Sequence, residues 1–157
     1  MTPTDDIFWK YLSPILDEQK AESGIVYAKM SDANGMDRII GDSRSEDVYP
    51  GIFVMRPKYR GNILDNALLL ALFELTLFVF FKGDTDDHAS EDQAYHNSET
   101  VACKIVNRLQ HDRFAGKNYL DFDSITLEPV QYQTGVDATC GYELKARLGI
   151  PANHIFC

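Results

Sequence analysis

Between Ala67 and Phe81 the chain is almost wholly apolar, interrupted only by Glu74 and Thr76. A membrane span needs about 20 such residues, and a carboxylate near the middle of so short a run costs roughly 2.5–3.5 kcal/mol on insertion. The run therefore belongs in a protein core rather than in lipid. Its alternate residues, Ala67, Leu69, Ala71, Phe73, Leu75, Leu77, Val79 and Phe81, are all apolar, whereas the other parity holds Glu74 and Thr76. A strand over about Leu68 to Phe81 has one fully buried face and one mixed face, as where helices cover one side of a sheet. Aromatic and β-prone residues from Leu75 to Phe81 favour that strand. Leu68 to Phe73 alone fits a helix as well, and both states stay open for it.

The flanking patterns supply the other elements. Ile7, Phe8, Tyr11, Leu12, Ile15 and Leu16 recur at three- and four-residue spacing, which predicts a helix. Thr4 is its expected cap, Asp5 and Asp6 suit its first turn, Pro14 is a potential kink and Ser23-Gly24 the stop. Ile25 to Met30 and Tyr49 to Met55 read as strands, Arg38 to Ile40 as a weaker one, and Gly41 to Asp47 as a surface loop. Arg56 to Gly61, basic and rich in turn formers, reads as a hairpin tip. Beyond Phe81 an acidic stretch leads into a second helix, Ser90 to Leu109, with Ser90 and Gln93 at capping-box spacing and Gly116 as a stop. Ser124 to Val130 and Gly141 to Leu148 read as extended segments around a Thr134-Gly135 turn. Together these give an α+β fold: a curved sheet, mainly antiparallel or mixed, with a short N-terminal helix and one main helix packed on it.

At 157 residues the chain has room for one domain, residues 1–157, with a sizeable core. Its 15 Lys and Arg against 24 Asp and Glu give a net charge of −9, which argues against a broad nucleic-acid-binding face, because such affinity comes from cations at phosphates. Three cysteines, Cys103, Cys140 and Cys157, without CxxC spacing fit reduced thiols rather than a disulfide framework. Met1 to Lys20 lacks the basic segment and apolar core of a secretory leader, so export by that route is not expected.

The candidate chemistry falls short in detail. Asp84 and Asp86 alternate like calcium ligands, but an EF-hand loop starting at Asp84 needs glycine where Ala89 stands and glutamate where Tyr95 stands. His88 and His96 are eight apart, with His111 and His154 elsewhere and no Cys pair or HExxH to join them. Cys103 lies in an apolar helical stretch, where burial makes a thiol inert, and Cys140 precedes Gly141 in a turn-like setting. GxSxG, GxxxxGK[ST] and GxGxxG are all missing. No cofactor, metal or catalytic residue is expected. Arg56, Lys58, Tyr59 and Arg60 form the one local basic patch, where an aromatic among cations can stack or meet phosphate. In so acidic a molecule such a patch suits a neighbour's acidic face better.

The order of elements resembles the tail-terminator and related minor tail and neck proteins of long-tailed bacteriophages. The matching segments are Pro50-Gly51-Ile52-Phe53-Val54, then Glu74 to Phe80, the helix Glu99 to Leu109 and the closing strand Gly141 to Leu148. The resemblance is one of pattern and order. It implies a non-catalytic structural protein that assembles as a ring, commonly a hexamer, at the head-proximal end of the tail tube, built in the bacterial host cytoplasm and ending in the virion tail. Its implied partners are copies of itself, tail-tube proteins and neck proteins, with DNA only as passing cargo and no membrane. The loops then become candidate contacts: Asp42, Arg44, Glu46 and Asp47 in one, Arg56, Lys58, Tyr59 and Arg60 in the other. Two alternatives stay open. One is a domain binding a small molecule or peptide between the Ser90 to Leu109 helix and the sheet. The other is a hydrolase or transferase using Asp and His residues, with His96 and His111 as candidates.

Overall fold

The apolar run forms the longest-paired strand of a six-stranded sheet. The computed structural model describes residues 2–31, 48–63, 68–84, 86–134 and 137–152. Within them lie β1 (Tyr27–Ser31), β2 (Gly51–Met55), β3 (Lys58–Ile63), β4 (Leu69–Gly83), β5 (Tyr119–Thr134) and β6 (Asp137–Pro151). The strand order is β1-β2-β4-β6-β5, with β3 also on β4. Only β1 and β2 run parallel; every other pair is antiparallel. Leu69 to Phe73 is strand, which closes the ambiguity left by its composition. In β4, Ala71, Phe73, Leu75, Leu77 and Val79 are each at most 1% exposed, and Glu74 on the other face is exposed.

One face of this sheet is covered by helices. A π-helical stretch, Thr4–Trp9, runs directly into α1 (Lys10–Ser23), and the long α2 spans His88–Phe114. Phe8, Leu12, Ile15 and Leu16 of the first, and Val101, Ala102, Ile105 and Leu109 of the second, share one core with the buried residues of β4 and β6. Each large side chain fully buried there contributes roughly 1.5–3 kcal/mol. Phe73 is sandwiched in aromatic contacts, 5.1 Å from Phe8 and 5.5 Å from Tyr59 between ring centroids.

The helix ends depart from the expected caps. Thr4 is already the first helical residue, and Pro3 before it makes no side-chain cap; instead the Thr2 N–H donates to Asp6 Oδ2 at 2.7 Å and its hydroxyl to Asp5 Oδ2 at 3.1 Å. Gly24 ends α1 with φ +69°, a left-handed turn that a side chain resists. The second helix starts two residues before Ser90. Asp87 caps it by accepting the Ala89 N–H at 3.1 Å, while Ser90 Oγ accepts from the Asp84 N–H at 3.2 Å. It also runs five residues past Leu109, stopping before Gly116 at φ +77°.

Among the described residues, a bulge and a register slip shape the sheet. Val54 faces Leu77 and Lys58 faces Glu74, so Met55, Arg56 and Pro57 stand against only Leu75 and Thr76. β2 and β3 therefore follow one another along β4 across a bulge, and Lys58 to Gly61 of the basic segment expected as a hairpin tip are strand. Pro57, lacking an N–H, sits at the bulge, where no ladder bond is needed. In β5 the register slips between Asp121 and Thr126. Ser124 pins that irregularity by donating to the Asp121 carbonyl at 2.6 Å and accepting the Arg147 N–H at 2.8 Å. β5 and β6 both outrun the two short extended segments that the sequence outlines. The expected strand Arg38 to Ile40 and loop Gly41 to Asp47 lie outside the described residues.

Candidate functional site

Strand alternation sorts the basic segment. Tyr59 lies opposite Phe73 and packs on the helix-covered face, whereas Lys58 and Arg60 lie opposite Glu74 and Leu72 on the other face. Tyr59 is thus not a stacking platform among the cations, as the linear sequence suggests. On the face away from the helices, Lys58, Glu74, Arg147 and Asp121 stand in one cross-strand row of alternating sign. The next row is Arg60, Leu72, Gly149 and Tyr119. Gly149 has no side chain to raise the surface there, and Leu72 leans toward it, with Cδ2 3.0 Å from where a Cβ would stand. A groove of about 240 Å³ results, lined by Lys58, Arg60, Leu72, Glu74 and Arg147 together with Tyr59 and Phe73. None of the ion pairs among the described residues involves its charged members. Arg147 and Glu74 escaped the sequence reading as site residues. The signals were the one charge in the apolar run and a cation at an alternating position of β6, but only strand pairing joins them to Lys58.

The same face changes character toward the far end of β4. Phe53 and Phe80 are buried there under Val48 and Tyr49, flanked by Tyr27, Met55, Phe78 and Val130. The rings of Phe78 and Phe80 stack at 5.8 Å, and Phe53 lies 5.9 Å from Phe80. Gly141 is required here, because a Cβ would collide with the Val79 carbonyl and stand 2.7 Å from Phe80 Cδ1.

A second polar constellation ties α1 to the end of α2. The Tyr11 hydroxyl donates to Asp112 Oδ2 at 2.7 Å and accepts from Asn118 Nδ2 at 2.7 Å. Asn118 also donates to the Leu109 carbonyl and accepts from the Leu120 N–H. Arg108 bridges Asp112 at 3.3 Å and Glu18 at 2.6 Å. Asp112 is 2% exposed and Asn118 fully buried. Burial, reinforced by the Asp112 carboxylate, pushes the Tyr11 hydroxyl far above its ordinary range. With its polar groups mutually satisfied, this network fixes helix packing.

The candidate nucleophiles and metal ligands are dispersed. Cys140 lies in β6, fully buried rather than in a turn, and burial pushes its thiol up, although hydrogen bonds from Tyr95 and Gln131 oppose this. Burial also raises Cys103, with Glu99 adding to it. His96 and His111 are both exposed on α2, about 22 Å apart along its axis at 1.5 Å per residue, so they do not converge on one centre. Among the described residues no three His, Cys, Asp or Glu side chains group to hold a metal, and no helix is long and apolar enough to cross a membrane. Between α2 and the sheet, where the alternative binding-domain reading puts a ligand pocket, buried side chains of both pack into one core. Asp42, Arg44, Glu46, Asp47, His154 and Cys157 lie outside the described residues.

Fold and site together define an α+β protein with one sheet face covered by helices and the other bearing a charged groove beside an aromatic cluster. Compared with protein-family models and with curated proteins, the chain matches none of them.

Proposed function

We propose that the protein is a structural assembly subunit acting through contacts with copies of itself and with partner proteins. The role it fits best is that of a ring closing the tail tube of a long-tailed bacteriophage and joining it to the head. The observation that carries this reading is the sheet face away from the helices. Among the described residues nothing covers its Lys58-Glu74-Arg147-Asp121 row, and the outer edge of β3 pairs with no strand. Edges and half-covered faces of this kind template association. In that role the protein performs no catalysis and holds no cofactor. A net charge of −9 suits a conduit whose walls do not adsorb DNA. The test is to follow mass by light scattering over a concentration series, then image the protein by electron microscopy with and without tail tubes. Rings, alone or at tube ends, are expected. A monomer that ignores the tubes at the highest concentration overturns the reading.

The groove also favours a second reading, a domain binding an anionic small molecule or an acidic peptide at Lys58, Arg60 and Arg147. A panel of di- and tricarboxylates and acidic peptides that raises the melting temperature of the monomer, by mass action on the folded state, decides for it.

A further inference from the structure

The assembly reading leaves open which surfaces meet, and the charge layout limits the choice. Copies carrying −9 each repel at long range, so a stable contact needs a place where cations of one copy face carboxylates of the next. The groove offers Lys58 and Arg60 on β3 and Arg147 on β6, across β4 from each other, outnumbering the Glu74 among them. At the other end of β4 the chain turns into α2 through Asp84 and Asp86, with Asp92 one turn into the helix, all exposed. At about 3.3 Å per residue, Asp84 stands roughly 30 Å along β4 from Glu74. The two patches are thus too far apart to neutralise each other within one copy, with a Debye length of about 8 Å at physiological salt. They are complementary to each other and not to themselves, which is the requirement for a head-to-tail contact that closes into a ring.

Resting on the assembly reading, we infer that the occupant of the Lys58-Arg60-Arg147 groove is a second copy of this chain, which inserts the acidic junction of β4 and α2 carrying Asp84, Asp86 and Asp92. The Asp87 cap stays engaged with its own helix in this contact, because its carboxylate already holds the Ala89 N–H.

The test is a charge swap on the full chain. Lys58→Glu with Arg60→Glu reverses the groove; Asp86→Lys with Asp92→Lys reverses the junction without touching the cap. Lys58→Arg with Arg60→Lys, and Asp86→Glu with Asp92→Glu, are charge-preserving controls, and melting temperature reports whether each variant folds. By sedimentation velocity, each reversal is expected to raise the association midpoint at least tenfold, the controls to match the wild type, and an equimolar mixture of the two reversed proteins to recover wild-type association. If both reversals assemble like the wild type, or the mixture does not recover, the contact lies elsewhere and the inference is overturned while the ring reading stands. A wild type that forms only a dimer, lost in both reversals and restored on mixing, supports the contact and removes the ring. A wild type that neither self-associates nor binds tubes overturns both.

Discussion

The hydroxyl of Tyr11 joins two buried polar groups, donating to Asp112 and accepting from Asn118. Tyr11→Phe leaves each of them short of a partner, and an unsatisfied buried group costs about 1–3 kcal/mol. A loss of that size in urea unfolding at pH 7 is expected. The pH dependence carries a sign as well. The folded-state pKa of Tyr11 is raised above the unfolded value of 10.0, so its contribution is complete below pH 10 and is lost as pH rises beyond it. Above pH 10 the wild type therefore loses stability more steeply than Tyr11→Phe, by the slope of one proton, which unfolding curves at several alkaline pH values measure. Gly141 and Gly149 provide a second contrast. A methyl at Gly141 strikes the Val79 carbonyl and stands 2.7 Å from a packed ring, whereas at Gly149 the nearest atoms, Leu72 Cδ2, Tyr119 Cβ and the Tyr119 carbonyl oxygen, stand at 3.0, 3.1 and 3.2 Å. Gly141→Ala is expected to cost about 3 kcal/mol, the upper end of ordinary overpacking, and Gly149→Ala clearly less, by thermal or urea unfolding.

At the scale of elements, the start of α2 shows how a reasonable sequence signal can miss its neighbour. Ser90 and Gln93 have capping-box spacing, yet Asp87 holds the cap and Ser90 serves the turn before the helix. Both are cap-forming residue types within one turn, and the choice between them depends on where β4 releases the chain. Asp87→Ala is expected to lower stability by about 1 kcal/mol, typical of a lost cap, and Ser90→Ala by less, as melting curves of the two variants would register. The periodic segments were legible: α1, stopped at Gly24, and the Leu75 to Phe81 half of β4 follow from spacing and a single glycine, while Leu69 to Phe73, open between helix and strand in the sequence, is set by its pairing with β3 and β6. β3 was not legible, because a proline, an arginine pair and a glycine within six residues look like a turn when the long partner strand that receives them is out of view.

For the whole molecule, the two most extensively paired strands, β4 and β6, lie in the middle of the sheet, and β3 holds on by one edge alone among the described residues. Backbone amides of β4 and β6 are expected to exchange with solvent only on global unfolding, and those of β3 through local opening at lower free energy. If assembly covers the groove face and its edge, amides from Lys58 to Ile63 gain protection in the assembled protein while β4 and β6 hardly change. Exchange followed by mass spectrometry on both forms checks this. An unchanged β3 in the assembled protein would argue that the contact leaves this edge open.

What the amino-acid sequence determined by itself is what depends on neighbours along the chain. The apolar run had to be buried, its period of two made Leu75 to Phe81 a strand, the helical stripes gave two amphipathic helices, and the excess of carboxylates set the charge. These follow from local geometry and transfer from water, which act over a few residues. Only the tertiary structure decided the pairing partners, and with them the site. Lys58 and Arg147 are 89 positions apart and share a groove because β3 and β6 flank β4 on opposite edges. Tyr59, beside Lys58 in sequence, packs its ring against the core and not among the cations, because adjacent strand residues point to opposite faces. Register is fixed by how buried faces across the sheet fit together, a condition that involves most of the chain at once.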